Sequence, residues 1–172
     1  RAAVVVPRPV PAERDARRWT AAEPRSPSAR RALAAALFAT GAPDAAVLDV
    51  MRQGWVALPE ATRAIAEARD RAHLAYARGD FEEALRLGSE WERLAGGAND
   101  YTERTYVALS RAAAAGESGD APLAGRLATE ARDRLRAWNA PPESTASWTL
   151  EIEEFRMRAG LLPVAEFRAL QE

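Results

Sequence analysis

The chain contains no cysteine, no lysine, a single histidine and no apolar run approaching the length of a membrane span. Without cysteine there are no disulfides, thiolate metal sites or cysteine nucleophiles. His73 is the only histidine, and it falls in the middle of a helical pattern, which gives a hydrolytic triad no base beside a nucleophile. A zinc site would have to rest on carboxylates alone around that one imidazole, so no metal and no cofactor is expected. Nor does charge of one sign dominate: 24 basic residues face 25 acidic ones, a net charge of -1, with both signs mixed along the chain. Nucleic-acid binding needs a basic surface that this balance does not offer, and no segment reads as membrane-inserting.

What is present is just as uneven. All 24 basic residues are arginine and alanine is abundant, the composition of a GC-rich, bacterial genome. The chain opens on Arg1 rather than Met, and Val4, Val5 and Val6 are followed by Pro7, Pro9 and Pro11. Residues 1–27 therefore read as a Pro/Arg-rich extended segment of the kind that follows a leader or anchor. A processed envelope or secreted protein is favoured, with the cytoplasm as the alternative.

From residue 28 onward apolar residues recur at threes and fours, and no stretch alternates as a strand would, so the expected class is all-α. Leu123, Leu127, Ala131, Leu135 and Trp138 form one stripe; Trp148, Ile152, Phe155 and Ala159 form another. A third runs from Phe81 through Ala84, Leu85 and Gly88 to Trp91. Glycines at 41, 79, 119 and 160 recur every 38 to 41 residues, each followed five positions later by alanine. A period of that size is what stacked helical hairpins produce. Asp80 with Glu83, and Asp100 with Glu103, have capping-box spacing, while Pro43, Pro122 and Pro142 sit where a first helical turn tolerates proline. The expected helices cover 28–40, 43–54, 60–78, 81–95, 100–116, 121–138, 143–159 and 162–171, pairing into four antiparallel hairpins over a 28–172 domain.

The stretch AHLAYARGDFEEAL, residues 72–85, resembles the middle of a tetratricopeptide repeat. Ala72, Tyr76, Gly79, Phe81 and Ala84 carry the resemblance: small residue, aromatic, glycine turn, aromatic, then alanine where two helices cross closely. GESGDAPLAGRL (116–127) keeps the Gly-Asp turn and Ala124, and MRAGLLPVAEF (157–167) keeps glycine and alanine. The resemblance implies an α-α superhelix, a solenoid of about four hairpins, whose first helices line a concave groove. Mapped onto this chain, the groove face carries Arg31 and Phe38, then Arg69, His73 and Tyr76 at i, i+4 and i+7, then Tyr106 and Leu109, with Glu154 and Met157 in the last hairpin.

Titratable clusters argue against an enzyme. Glu151, Glu153 and Glu154 point in different directions around a helix and read as a solvated face, and Gly96-Gly97 lacks the strand and lysine of a phosphate loop. The expected role is a protein-protein interaction adaptor that holds a peptide or partner helix in the groove. The alternative is a regulatory or ligand-sensing helical-repeat domain of a larger bacterial protein. Leu161, Leu162, Phe167 and Leu170 in the last hairpin make homo-oligomerisation through that end a further expectation.

Overall fold

Gly41, Gly79, Gly119 and Gly160 all take positive φ, between 73° and 86°, and each ends a helix in the same way. At Gly79 the backbone N–H donates to Tyr76 O at 2.9 Å, and the N–H of Asp80 reaches back to Ala75 O at 3.0 Å. This pair of bonds is the Schellman arrangement, which satisfies carbonyls a helix end leaves without partners and requires a left-handed residue at its centre. The same two bonds recur around Gly41, Gly119 and Gly160. At two of the turns the following aspartate also opens the next helix. Asp80 Oδ1 accepts the Glu83 N–H at 3.2 Å, and Asp120 Oδ1 accepts the Leu123 N–H at 2.9 Å.

The expected capping box at Asp80 is only half formed. Its second half needs the Glu83 carboxylate to take the Asp80 N–H, but the Schellman bond already uses that donor, and Glu83 turns to Arg86 at 2.6 Å instead. The corresponding Asp100 lies outside the described residues.

The computed structural model describes residues 11–98, 101–138 and 142–171. They form nine helices and, among the described residues, no strand: α1 (Pro11–Ala22), α2 (Pro27–Ala39), α3 (Asp44–Val56), α4 (Glu60–Ala77), α5 (Phe81–Ala98), α6 (Tyr101–Glu117), α7 (Ala121–Trp138), α8 (Pro142–Arg158) and α9 (Val164–Ala169). Eight of these fall where the periodicity predicts them. None of the helices among the described residues is long and apolar enough to cross a membrane. Two compact units divide the chain, residues 1–67 and 68–172, with the boundary inside α4.

In the first unit α1 corrects the expectation of an extended segment over 1–27. The closely spaced prolines end at Pro11, which occupies the first helical position, and the run from Ala12 to Ala22 holds good helix formers and no proline before Pro24. Buried Ala16 packs with Leu33 and Ala36 of α2. Thr20 Oγ1 donates to Ala16 O at 2.8 Å and approaches Ala29 O of α2 at 3.3 Å. Ser26 then caps α2 by accepting the Ala29 N–H, and α3 packs against α2. Residues 1–10 of the expected segment lie outside the described residues.

In the second unit α6 packs between α5 and α7 and also touches α8, α7 packs on α8, and α9 folds onto α8. Much of the interior is alanine, so the helices approach closely. Leu109, Ala131, Leu135 and Ile152 form one buried cluster, and Ala112, Ala124, Leu127 and Ala128 form another. The stripes read from the sequence supply Leu127, Ala131, Leu135 and Ile152, with Trp138, Trp148 and Phe155 half-buried at the edge, while Leu109, Ala112, Ala124 and Ala128 come from outside them. At the C-terminal end Phe167 is buried, while Leu161 and Leu170 are each 50% exposed.

Candidate functional site

Two positions form the floor of a cavity in the second unit. Gly88 of α5 has no side chain, and the Arg111 stem from α6 lies across it, so a β-carbon there would stand 2.6 Å from Arg111 Cγ. The Arg111 guanidinium is drawn to Glu92 on α5, which also pairs with Arg134 of α7. Arginine thus contributes its aliphatic stem to the site and keeps its charge in a salt bridge elsewhere.

Over this floor opens a cavity of about 230 Å³. Its aromatic wall is a triangle. His73 of α4 meets Trp91 of α5 edge to face at 5.4 Å and Tyr106 of α6 at 5.5 Å, and Trp91 and Tyr106 lie 5.6 Å apart. Each such contact is worth about 0.5–1.5 kcal/mol beyond its buried area, so the wall is stiff before anything binds. Tyr106 stacks on Trp148 of α8 at 6.4 Å, and Tyr76, beside Phe81 at 5.7 Å, forms the outer lip. Tyr76 and Tyr106 are 37% and 38% exposed, whereas Trp91 is fully buried. Leu109 and Ala113 add apolar surface, Ser110 Oγ lies 3.5 Å from His73 Nε2, and Glu151 of α8 closes the remaining side.

The electrostatics at the lip are acidic. Partial burial of its carboxyl, with the like charge of Glu154 behind it, pushes Glu151 above the usual glutamate range. Burial pushes the Tyr76 phenol up, and the charge of Glu117 at the end of α6 adds to this; Arg158 pulls the other way and Glu151 contributes a smaller push.

Of the residues mapped onto the groove face, His73, Tyr76, Tyr106 and Leu109 line this one cavity, with Leu109 also part of the core. Arg69 does not line it. Its guanidinium reaches Glu103 of α6 at 3.0 Å and Asp70 at 3.3 Å, and the same Glu103 carboxylate accepts the Trp91 indole N–H at 2.9 Å. Arg69 therefore secures the back of the aromatic wall. Arg31, exposed, and Phe38, half-buried, stand on α2 in the first unit. Glu154 is paired with Arg158, and Glu151, one helical turn earlier, takes the place expected for it.

Trp91, Gly88, Ser110 and Arg111 also line the site although the groove reading did not include them. Trp91 and Gly88 were visible as an apolar stripe with Phe81 and Ala84, which marks a buried face without saying that the face borders a cavity. Comparisons with protein-family models, with curated proteins and with solved structures return no match.

Proposed function

We propose that residues 68–172 form a tetratricopeptide-like interaction module, in which helical hairpins stack as a short solenoid and the cavity takes one side chain of a bound peptide or partner helix. The observation that carries this reading is the cavity lined by His73, Tyr76, Tyr106 and Trp91, with two tyrosines half in solvent above a fully buried tryptophan. Its volume of about 230 Å³ lies below the range usual for pockets that enclose whole small molecules and suits a single side chain. Aromatic rings offer a large contact area with little entropy to lose, and a wall already packed ring against ring needs no ordering on binding. Contacts of α6 with both α7 and α8 support the stacking half of the proposal.

The mechanism is recognition by shape and a few polar anchors, with no bond made or broken. Partner backbone runs across the exposed lip while one side chain displaces water from the cavity. A peptide-display screen on the full chain tests it. Selected peptides bind the native protein, and Tyr76→Ala with Tyr106→Ala weakens them by about tenfold or more, measured at a temperature where circular dichroism shows the variant, with its lowered melt, still helical and folded. Peptides that bind the double variant equally well sink the proposal.

A further inference from the structure

The acid at the lip of this cavity has a use the interaction reading alone does not give it. Among the described residues neither Glu151 nor Glu117 has a salt-bridge partner, although arginines are abundant and Arg158 nearby pairs with Glu154. Glu117 is the last residue of α6, where the helix dipole is negative and disfavours a carboxylate, and no basic residue in the last turn of α6 offsets it. The one cation in the cavity wall, Arg111, is already committed to Glu92 and presents its stem. What remains is an aromatic-walled cavity with Glu151 in its wall and Glu117 beside its mouth, two carboxylates against the single guanidinium of Arg158, which is itself paired with Glu154.

Resting on the interaction reading, we propose that the side chain the cavity takes is a cation, the guanidinium of an arginine in the partner peptide. A guanidinium is planar, weakly hydrated and stacks on aromatic faces, so the half-exposed rings of Tyr76 and Tyr106 suit it better than a strongly hydrated ammonium. Its fork of N–H groups matches a carboxylate, and Glu151 supplies one at the cavity wall, while Arg158 at the same lip is paired with Glu154. A glutamate anchor would face two like charges, and a purely apolar anchor would leave the Glu151 carboxylate desolvated without a partner.

The test uses the full chain and pools of short labelled peptides with neutral randomised flanks, the central residue fixed as arginine, citrulline, lysine, leucine, phenylalanine or glutamate. Fluorescence polarisation then reads affinity. The arginine pool is expected to bind about tenfold tighter than the citrulline pool, which keeps the shape and removes the charge. That preference shrinks to about threefold or less in Glu151→Gln, and arginine binding is lost in Tyr106→Ala. Glu151 is exposed as a residue, so its amide variant leaves the fold intact. If the leucine or phenylalanine pool binds best and loses affinity in Tyr106→Ala, the interaction reading stands and the cationic anchor is overturned. A preference for glutamate, or an arginine preference that survives Glu151→Gln combined with Glu117→Gln, also overturns it. If no pool binds above the level of the Tyr76→Ala, Tyr106→Ala protein, both readings fall.

Discussion

Gly88 on α5 and Arg111 on α6 are in direct contact: a β-carbon at position 88 would stand 2.6 Å from Arg111 Cγ and 3.2 Å from its Cδ. The stem has little room to withdraw, because the guanidinium beyond it is held by Glu92. Gly88→Ala should therefore destabilise the protein by about 1–2 kcal/mol, the overpacking cost outweighing the helix propensity gained. Gly96→Ala, on the same helix with nothing within 4 Å, should stabilise by a few tenths to about 1 kcal/mol. Chemical denaturation of both variants checks the opposite signs, and equal shifts would remove the close approach as the cause.

At Gly79 the constraint is conformational rather than steric. Its φ of 78° costs an L-residue about 1–2 kcal/mol, although a β-carbon there would meet nothing nearer than Phe81 Cζ at 4.0 Å. Gly79→Ala should lower stability by that amount, and Gly79→Asn by less, since asparagine tolerates the left-handed region better. Urea midpoints of the two variants would rank them, and a harmless Ala variant would contradict the turn geometry.

Arg69→Ala is expected to act on stability before it acts on binding. Removing the guanidinium takes the Arg69 contact from Glu103, whose side chain is only 15% exposed and which also accepts the Trp91 indole N–H, at a cost of about 1–3 kcal/mol. A double-mutant cycle with Glu103→Gln should show coupling between the two sites. Additive effects would mean the pair contributes nothing as a pair.

Glu151 makes a prediction about pH. Its carboxyl is held above the usual glutamate range by burial and by Glu154, so the folded state binds this proton more readily than the unfolded chain does. The stability it contributes is present below the unfolded value and is lost as pH rises through the raised folded value. Glu151→Gln should flatten that part of the stability profile. Glu154, Tyr76, Glu117 and Arg158 are its ionisable neighbours, and a carbon-detected titration of the Glu151 carboxyl separates its midpoint from theirs. A midpoint at or below the ordinary range would refute the burial argument.

Much of the fold was readable because helices declare themselves locally. Apolar spacing located α2 to α9, and the glycine period picked out the four glycines that have positive φ among the described residues. The helix α1 was hidden by its neighbours, since a proline run that ends at Pro11 resembles a linker until the last proline is recognised as a helix start. The site was readable only in part. Spacing places Arg69, His73 and Tyr76 on one face but does not say what stands opposite, and Glu103, 34 positions away, turned Arg69 into a support. Glu151 and Arg111 reach the cavity from other helices, and their roles depend on packing that no single stretch of sequence records.

The Gly-Asp turns bear on how the chain acquires its structure. Around Gly79 and Gly119 the bonds that stop one helix and the bond that starts the next all join residues within five positions of each other. Closing so short a loop loses little chain entropy, and the helices it joins are consecutive. A hairpin of this kind can form from its own residues, before distant contacts exist, which is the condition for rapid folding and for folding in stages as the chain is synthesised.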